Sequence, residues 1–219
     1  MKKNKEENNN LFIKLLLLLL LVAVIVIVII VLPNFKKSEN VTEETIVDEI
    51  KNFNYTVNEN DTKLFKTTFD ELKKILAEKN VDGEKYAETI SKLFIIDFFS
   101  LDNKTSKNDI GGVQFVYSSY KASFVDYARD GIYKQVINNI DTNESQNLPL
   151  VDSVEVVSIN KVSPSSIFNL EELANDTEED AYEVTINWTY ENSDDFQTSS
   201  VLTIVKDGDN LSIAKMTDR

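Results

Sequence analysis

The sequence predicts an α+β domain carried behind a single membrane-spanning helix. Three observations predict it. An unbroken apolar run of eighteen residues, Leu15–Leu32, lies near the amino terminus. Apolar residues then recur at helical spacing between residues 62 and 139. From residue 151 the period changes to two, the alternation of half-buried strands.

The run reads LLLLLLLVAVIVIVIIVL, extended upstream by Leu11, Phe12 and Ile13 and broken only by Lys14. About 20 apolar residues in a helix span the hydrocarbon core. A buried core helix would carry a polar face, and none is visible. A cleaved signal peptide has a shorter apolar stretch of about 7–15 residues and ends at small residues. Val31-Leu32-Pro33-Asn34-Phe35 offers no such site, and no Cys follows for lipid attachment. The expectation is an uncleaved signal anchor over 11–32, behind a short tail of residues 1–10. Lys2, Lys3, Lys5 and Lys14 outnumber Lys36 and Lys37 across the run, which places the tail in the cytoplasm and the remainder outside.

Composition excludes several functions. The 219 residues include 23 Lys+Arg and 37 Asp+Glu, for a net charge of −14, with no His and no Cys. Most zinc and haem sites, His-dependent nucleophile systems and all disulfides are thereby absent. Residues 38–219 hold 17 basic and 35 acidic side chains, a formal −18. Nucleic acid is not an expected partner, because phosphate binding needs a basic stripe.

The elements follow in order. Residues 33–61 are polar and acidic and read as a stalk, with Ile46, Ile50 and Phe53 at the spacing of one short helix. Phe65, Phe69, Leu72 and Leu76 mark a helix over about 62–79. Asn80-Val81-Asp82-Gly83 breaks it, and Asp82 is placed to cap a second helix over about 84–100. That helix has too many apolar residues for a single stripe, so it is expected to be buried on more than one side. After the loop Asp102–Gly112, Val113, Val116, Tyr120, Phe124 and Tyr127 share a stripe that predicts a third helix over about 113–139. Strands are expected at 151–162, 181–191, 196–206 and 210–216, the last two joined by the tight turn Asp207-Gly208-Asp209-Asn210. The expected domain is 62–219.

Few residues suggest chemistry. Asp97 lies inside an apolar helical run, and a buried carboxyl can become an acid or base. Tyr117, Tyr120 and Tyr127 on the following helix, with Trp188 on the apolar face of a strand, complete a possible pocket lining. The plainer alternative is an Asp97 that points to solvent or caps a local hydrogen bond, core tyrosines with wet hydroxyls and a core Trp188. Neither Asp207–Asn210 nor Thr177–Asp180 has the ligand spacing of a calcium loop. Gly111-Gly112 is not a phosphate loop, since no strand precedes it and no Lys-Ser/Thr follows. No catalytic residue, cofactor or metal is expected.

The order of elements, with Asp102–Val116 leading into the third helix, resembles the nuclear transport factor two-like fold. That resemblance implies a curved sheet wrapped on a long helix, a cystatin-like cone, across about residues 62–219. Among single-span proteins the chain resembles the VirB-eight-like assembly factors of type IV secretion and their counterparts in Gram-positive conjugation machinery. The resemblance implies a membrane-anchored scaffold that forms homo-oligomers and contacts other membrane-complex subunits. The alternative is an envelope binding module holding a peptide, lipid or wall fragment in the cone.

Overall fold

The structure is a computed structural model that describes residues 45–136, 147–163, 181–192 and 196–218. The chain divides into two units, 1–43 and 44–219, and the described residues belong to the second. The expected tail and span lie outside the described residues. Among the described residues no helix is long and apolar enough to cross a membrane.

The second unit is α+β, with helices and a curved antiparallel sheet. Helix α1, Lys63–Leu76, starts at Thr62, whose hydroxyl accepts from Phe65 N–H at 3.1 Å. It turns Phe65, Phe69 and Leu72 into the core and ends with Lys73 and Lys74, favourable beside its partly negative carboxyl end. Helix α2, Gly83–Phe99, starts at Asp82, whose carboxylate accepts from the Glu84 and Lys85 amides. Ile90, Leu93, Phe94, Ile95, Ile96 and Phe99 are all buried, and in the second half of the helix only Lys92 and Asp97 stay partly exposed, Lys92 paired with Glu88 at 2.6 Å. Its buried Thr89 and Ser91 hydroxyls donate to the carbonyls of Lys85 and Ala87 one turn earlier.

Strands β3 (Val151–Val162), β4 (Ala181–Tyr190), β5 (Ser199–Asp207) and β6 (Asn210–Asp218) pair antiparallel in sequence order. α2 packs against β3, β4 and β6 on one side and α1 on another. In β4, Tyr182, Val184, Ile186 and Trp188 are buried while Glu183, Thr185 and Asn187 are only partly covered, as the alternation predicts. The two-residue turn between β5 and β6 places Gly208 at its first central position with φ +66°, which glycine adopts without penalty. The two sheet edges are treated differently. β6 is extended by Val116, which bridges Ile213, with Tyr117 N–H donating to Ile213 C=O at 2.9 Å. β3 carries register shifts around Asp152 and Val157, bulges of the kind that discourage edge-to-edge pairing.

Two expectations are corrected. Residues 46–58 are not tether: β1 (Ile46–Ile50) and β2 (Tyr55–Asn58) form a hairpin. Tyr55 is 1% exposed and Val57 is buried with it, so the fold begins ahead of residue 62. The helical spacing of Ile46, Ile50 and Phe53 is incidental to a strand and a single 3-10 turn, Lys51–Phe53. The hairpin bends at Asn54, whose φ of +54° is tolerated by Asn. The expected third helix is also broken. Only α3, Lys121–Asp130, is α-helical, flanked by 3-10 turns at Val113–Phe115, Ser118–Tyr120 and Ile132–Gln135. The pairing of Val116 with β6 requires extended backbone there, and Gly131 ends α3. Residues 137–139 lie outside the described residues.

Trp188 is 2% exposed, its ring centroid 4.7 Å from that of Phe99, and its indole N–H donates to Tyr190 Oη at 2.7 Å. Trp188→Ala is expected to lower the unfolding free energy by about 3–5 kcal/mol, measured by urea titration. A loss under about 1 kcal/mol would contradict this packing.

Candidate functional site

The structure disperses the residues that the sequence grouped as a pocket lining. Asp97 sits near the carboxyl end of α2 beneath the loop 101–112. Tyr117 and Tyr120 meet each other beside β6, ring centroids 5.4 Å apart. Tyr127 is 81% exposed on α3 and Trp188 is closed within the core. The proximity expected of all five is corrected to that single tyrosine pair. Tyr117 is not helical (φ −52°, ψ 131°), so it does not share a face with Tyr120 and Tyr127, and Tyr127 faces solvent rather than Asp97.

Asp97 is instead the centre of a buried polar knot. Its Oδ1 accepts from Lys104 Nζ at 2.6 Å, and its Oδ2 accepts from Gly112 N–H at 2.6 Å. Lys104 is 5% exposed. Burial pushes its ammonium down, but the Asp97 carboxylate, with Tyr133 and Asp109 nearby, more than offsets this and holds its pKa above the usual lysine range. Tyr133 Oη accepts from Gly111 N–H at 2.9 Å and donates to Phe98 C=O at 2.8 Å; burial chiefly raises its pKa. Asp109 accepts from Thr105 N–H and Oγ1, closing the loop on itself. Gly111 and Gly112 are small because α2 presses on them. A Cβ at Gly111 would lie 2.2 Å from Asp97 O, and one at Gly112 would lie 2.8 Å from the Phe94 ring. Both Asp97 oxygens are engaged, so the group as built is a fastening rather than a poised base. Asp97 in an apolar run was the sequence signal for a buried cation, since an interior carboxylate needs a partner. Nothing in the loop itself distinguished Lys104 from Lys107.

A second feature was not legible at all. An open pocket of about 470 Å³ lies where the hairpin tip, the α1–α2 turn and the β5–β6 turn meet. Phe53, Leu76 and Val81 form one side, and Gly83 and Tyr86 at the start of α2 form another. Tyr182 and Leu211 close it, and Lys206, Asp209 and Asn210 edge the mouth. Tyr86 is fixed by a ring of hydrogen bonds. Leu211 N–H donates to Tyr86 Oη, Tyr86 Oη donates to Tyr55 Oη, and Tyr55 Oη donates to Leu211 C=O. Burial raises the pKa of both phenols, which remain neutral donors. Gly83 fits closely under Tyr182, and a Cβ there would meet Tyr182 Oη, so the ring would have to shift to admit a side chain. Among the described residues no group of three or more acidic side chains is placed to hold a metal ion. No family model, curated protein or solved structure matches the chain.

Removing one member of a buried ion pair leaves the other charge uncompensated. Asp97→Ala is therefore expected to cost about 3–5 kcal/mol of stability, with Lys104→Met in the same chain restoring part of the loss. Equal stability of wild type and Asp97→Ala in urea titrations would refute the knot.

Proposed function

We propose that the protein is a membrane-anchored, non-catalytic assembly component whose α+β head stands outside the cytoplasmic membrane. A conjugative or type IV-like secretion machine is the leading context. The observation that carries the reading is the apolar run Leu15–Leu32 set closely ahead of a fold that begins at Ile46. A fold that begins at Ile46 leaves at most residues 33–45 between the run and the head, rather than 33–61.

Further support comes from the head. The position of α2 against β3, β4 and β6 is consistent with a helix-backed cone of the nuclear transport factor two-like kind, although the space between α2 and the sheet is filled by Phe99, Trp188 and Ile186. A filled interior suits a head that works through its surface. Anchoring in one plane raises the local concentration of heads, so weak contacts suffice to build oligomers. The bulged β3 edge and the occupied β6 edge point to surface faces, rather than strand addition, as the means of contact.

Amine cross-linking in native membranes is expected to yield species above the monomer. Tyr127→Cys, the chain's only thiol, is expected to react with a membrane-impermeant maleimide on intact cells. A strictly monomeric chain, or a thiol labelled only after permeabilisation, would overturn the reading.

A further inference from the structure

We propose that Lys104 and Asp97 condense into an intramolecular amide, a covalent cross-link that fastens the loop 101–112 to α2. This goes beyond the assembly role and does not depend on it. The chain has no Cys, so no disulfide can supply such a link. The two reacting groups already meet inside the head. Lys104 Nζ lies 2.6 Å from Asp97 Oδ1, and the two side chains are 6% and 13% exposed. A nitrogen that close to one carboxylate oxygen needs only a small rotation to come within about 3–3.5 Å of Cγ, the separation from which bonds form. The other oxygen is held as well. Gly112 N–H donates to Asp97 Oδ2 at 2.6 Å. The backbone can approach so closely because Gly111 and Gly112 carry no side chain; a Cβ at Gly111 would lie 2.5 Å from Asp97 Oδ1.

The step balances within the pair. One proton passes from Nζ to Oδ1, which leaves a neutral amine and a neutral acid. The nitrogen lone pair attacks Cγ, and the negative charge that develops moves to Oδ2. Gly112 N–H is already aimed at that oxygen, as a donor that stabilises an oxyanion must be. A second proton then passes from nitrogen to Oδ1, the Cγ–Oδ1 bond breaks, and Oδ1 departs as water. No oxidant and no further reactant is required. Burial lowers the Lys104 pKa, but the Asp97 carboxylate more than offsets this, so the ion pair is the major form. The neutral pair from which attack proceeds is the minor form, favoured by a low dielectric relative to water. It has to react only once in the life of each molecule, so a slow rate suffices. Fixed partners of this kind reach effective concentrations of about 10⁵–10⁸ M. The closed site keeps bulk water from the amide once it forms, and the product replaces two buried charges with one neutral group.

The test purifies the whole chain from membranes, denatures it, digests it with trypsin and weighs the peptides. An amide on Lys104 blocks cleavage there, so the peptide Leu93–Lys107 is expected uncut and lighter than its sequence by one water. Chymotrypsin, which cuts between Phe98 and Leu101, is expected to leave the Asp97 and Lys104 fragments joined. Lys104→Arg keeps the positive charge but has no amine to condense. It is expected to give peptides of full mass, cut after residue 104. A cyclic imide at Asp97 would also lose water, but it leaves Lys104 open to trypsin and persists in Lys104→Arg. Recovery of wild-type Leu93–Lys104 at full mass would overturn the assignment, whatever the stability of the variant. So would a loss of water that survives in Lys104→Arg, or chymotryptic fragments that separate.

Discussion

Helix α2 carries Ile90, Leu93, Phe94, Ile95, Ile96 and Phe99 buried around most of its circumference, with Glu84, Lys85, Glu88 and Lys92 leaving only a narrow strip toward solvent, so it has to be enclosed on nearly every side. That requirement organises the head. The sheet covers one side through β3, β4 and β6, α1 covers another, and 3-10 turns with α3 contribute Phe115 and Phe124. Phe124 packs on both Phe94 and Phe98, at centroid distances of 5.9 and 5.1 Å. Each fully buried large apolar side chain contributes on the order of 1.5–3 kcal/mol relative to exposure. α2 thus concentrates more of the hydrophobic driving force than any other element among the described residues.

Polar groups fasten what the core gathers. At one end of α2 the Tyr55–Tyr86–Leu211 ring joins the hairpin, the helix and β6 without leaving a phenol unsatisfied. At the other end Asp97, Lys104 and Tyr133 hold the loop 101–112 against the helix. Asp207 performs a related service outside the core, accepting from Ser118 N–H and Oγ at 2.8 and 2.9 Å and keeping the 3-10 turn at the β6 edge. Buried polar groups cost stability when they lose their partners, so these contacts define the geometry as well as add to it.

Much of this was legible because it is periodic. α1, α2 and the four strands of the sheet announce themselves by spacing and by their caps and turns. The hairpin hid because only Tyr55 and Val57 mark its inner face, too few for a period to emerge from a polar stretch. Its partners, Tyr86 and Leu211, are distant in sequence. Likewise Val116 belongs to a helical stripe locally, and only its pairing with Ile213 reveals it as extended. The tyrosines were misplaced for a related reason: Tyr117 is not helical, and Tyr127 lies on the solvent side of α3. The pocket gathers residues from separate segments between Phe53 and Leu211, and no local pattern records such a meeting.

The central claim is that one cooperative core around α2 includes the hairpin, so that the folded head begins at residue 46. Hydrogen exchange of the whole chain tests it most directly, because amides in one cooperative unit open together. Tyr55–Val57 are expected to exchange as slowly as the middle of α2 and β4, in a single class set by global unfolding. Exchange of Tyr55–Val57 at the rate of unstructured chain, while α2 stays protected, would contradict it.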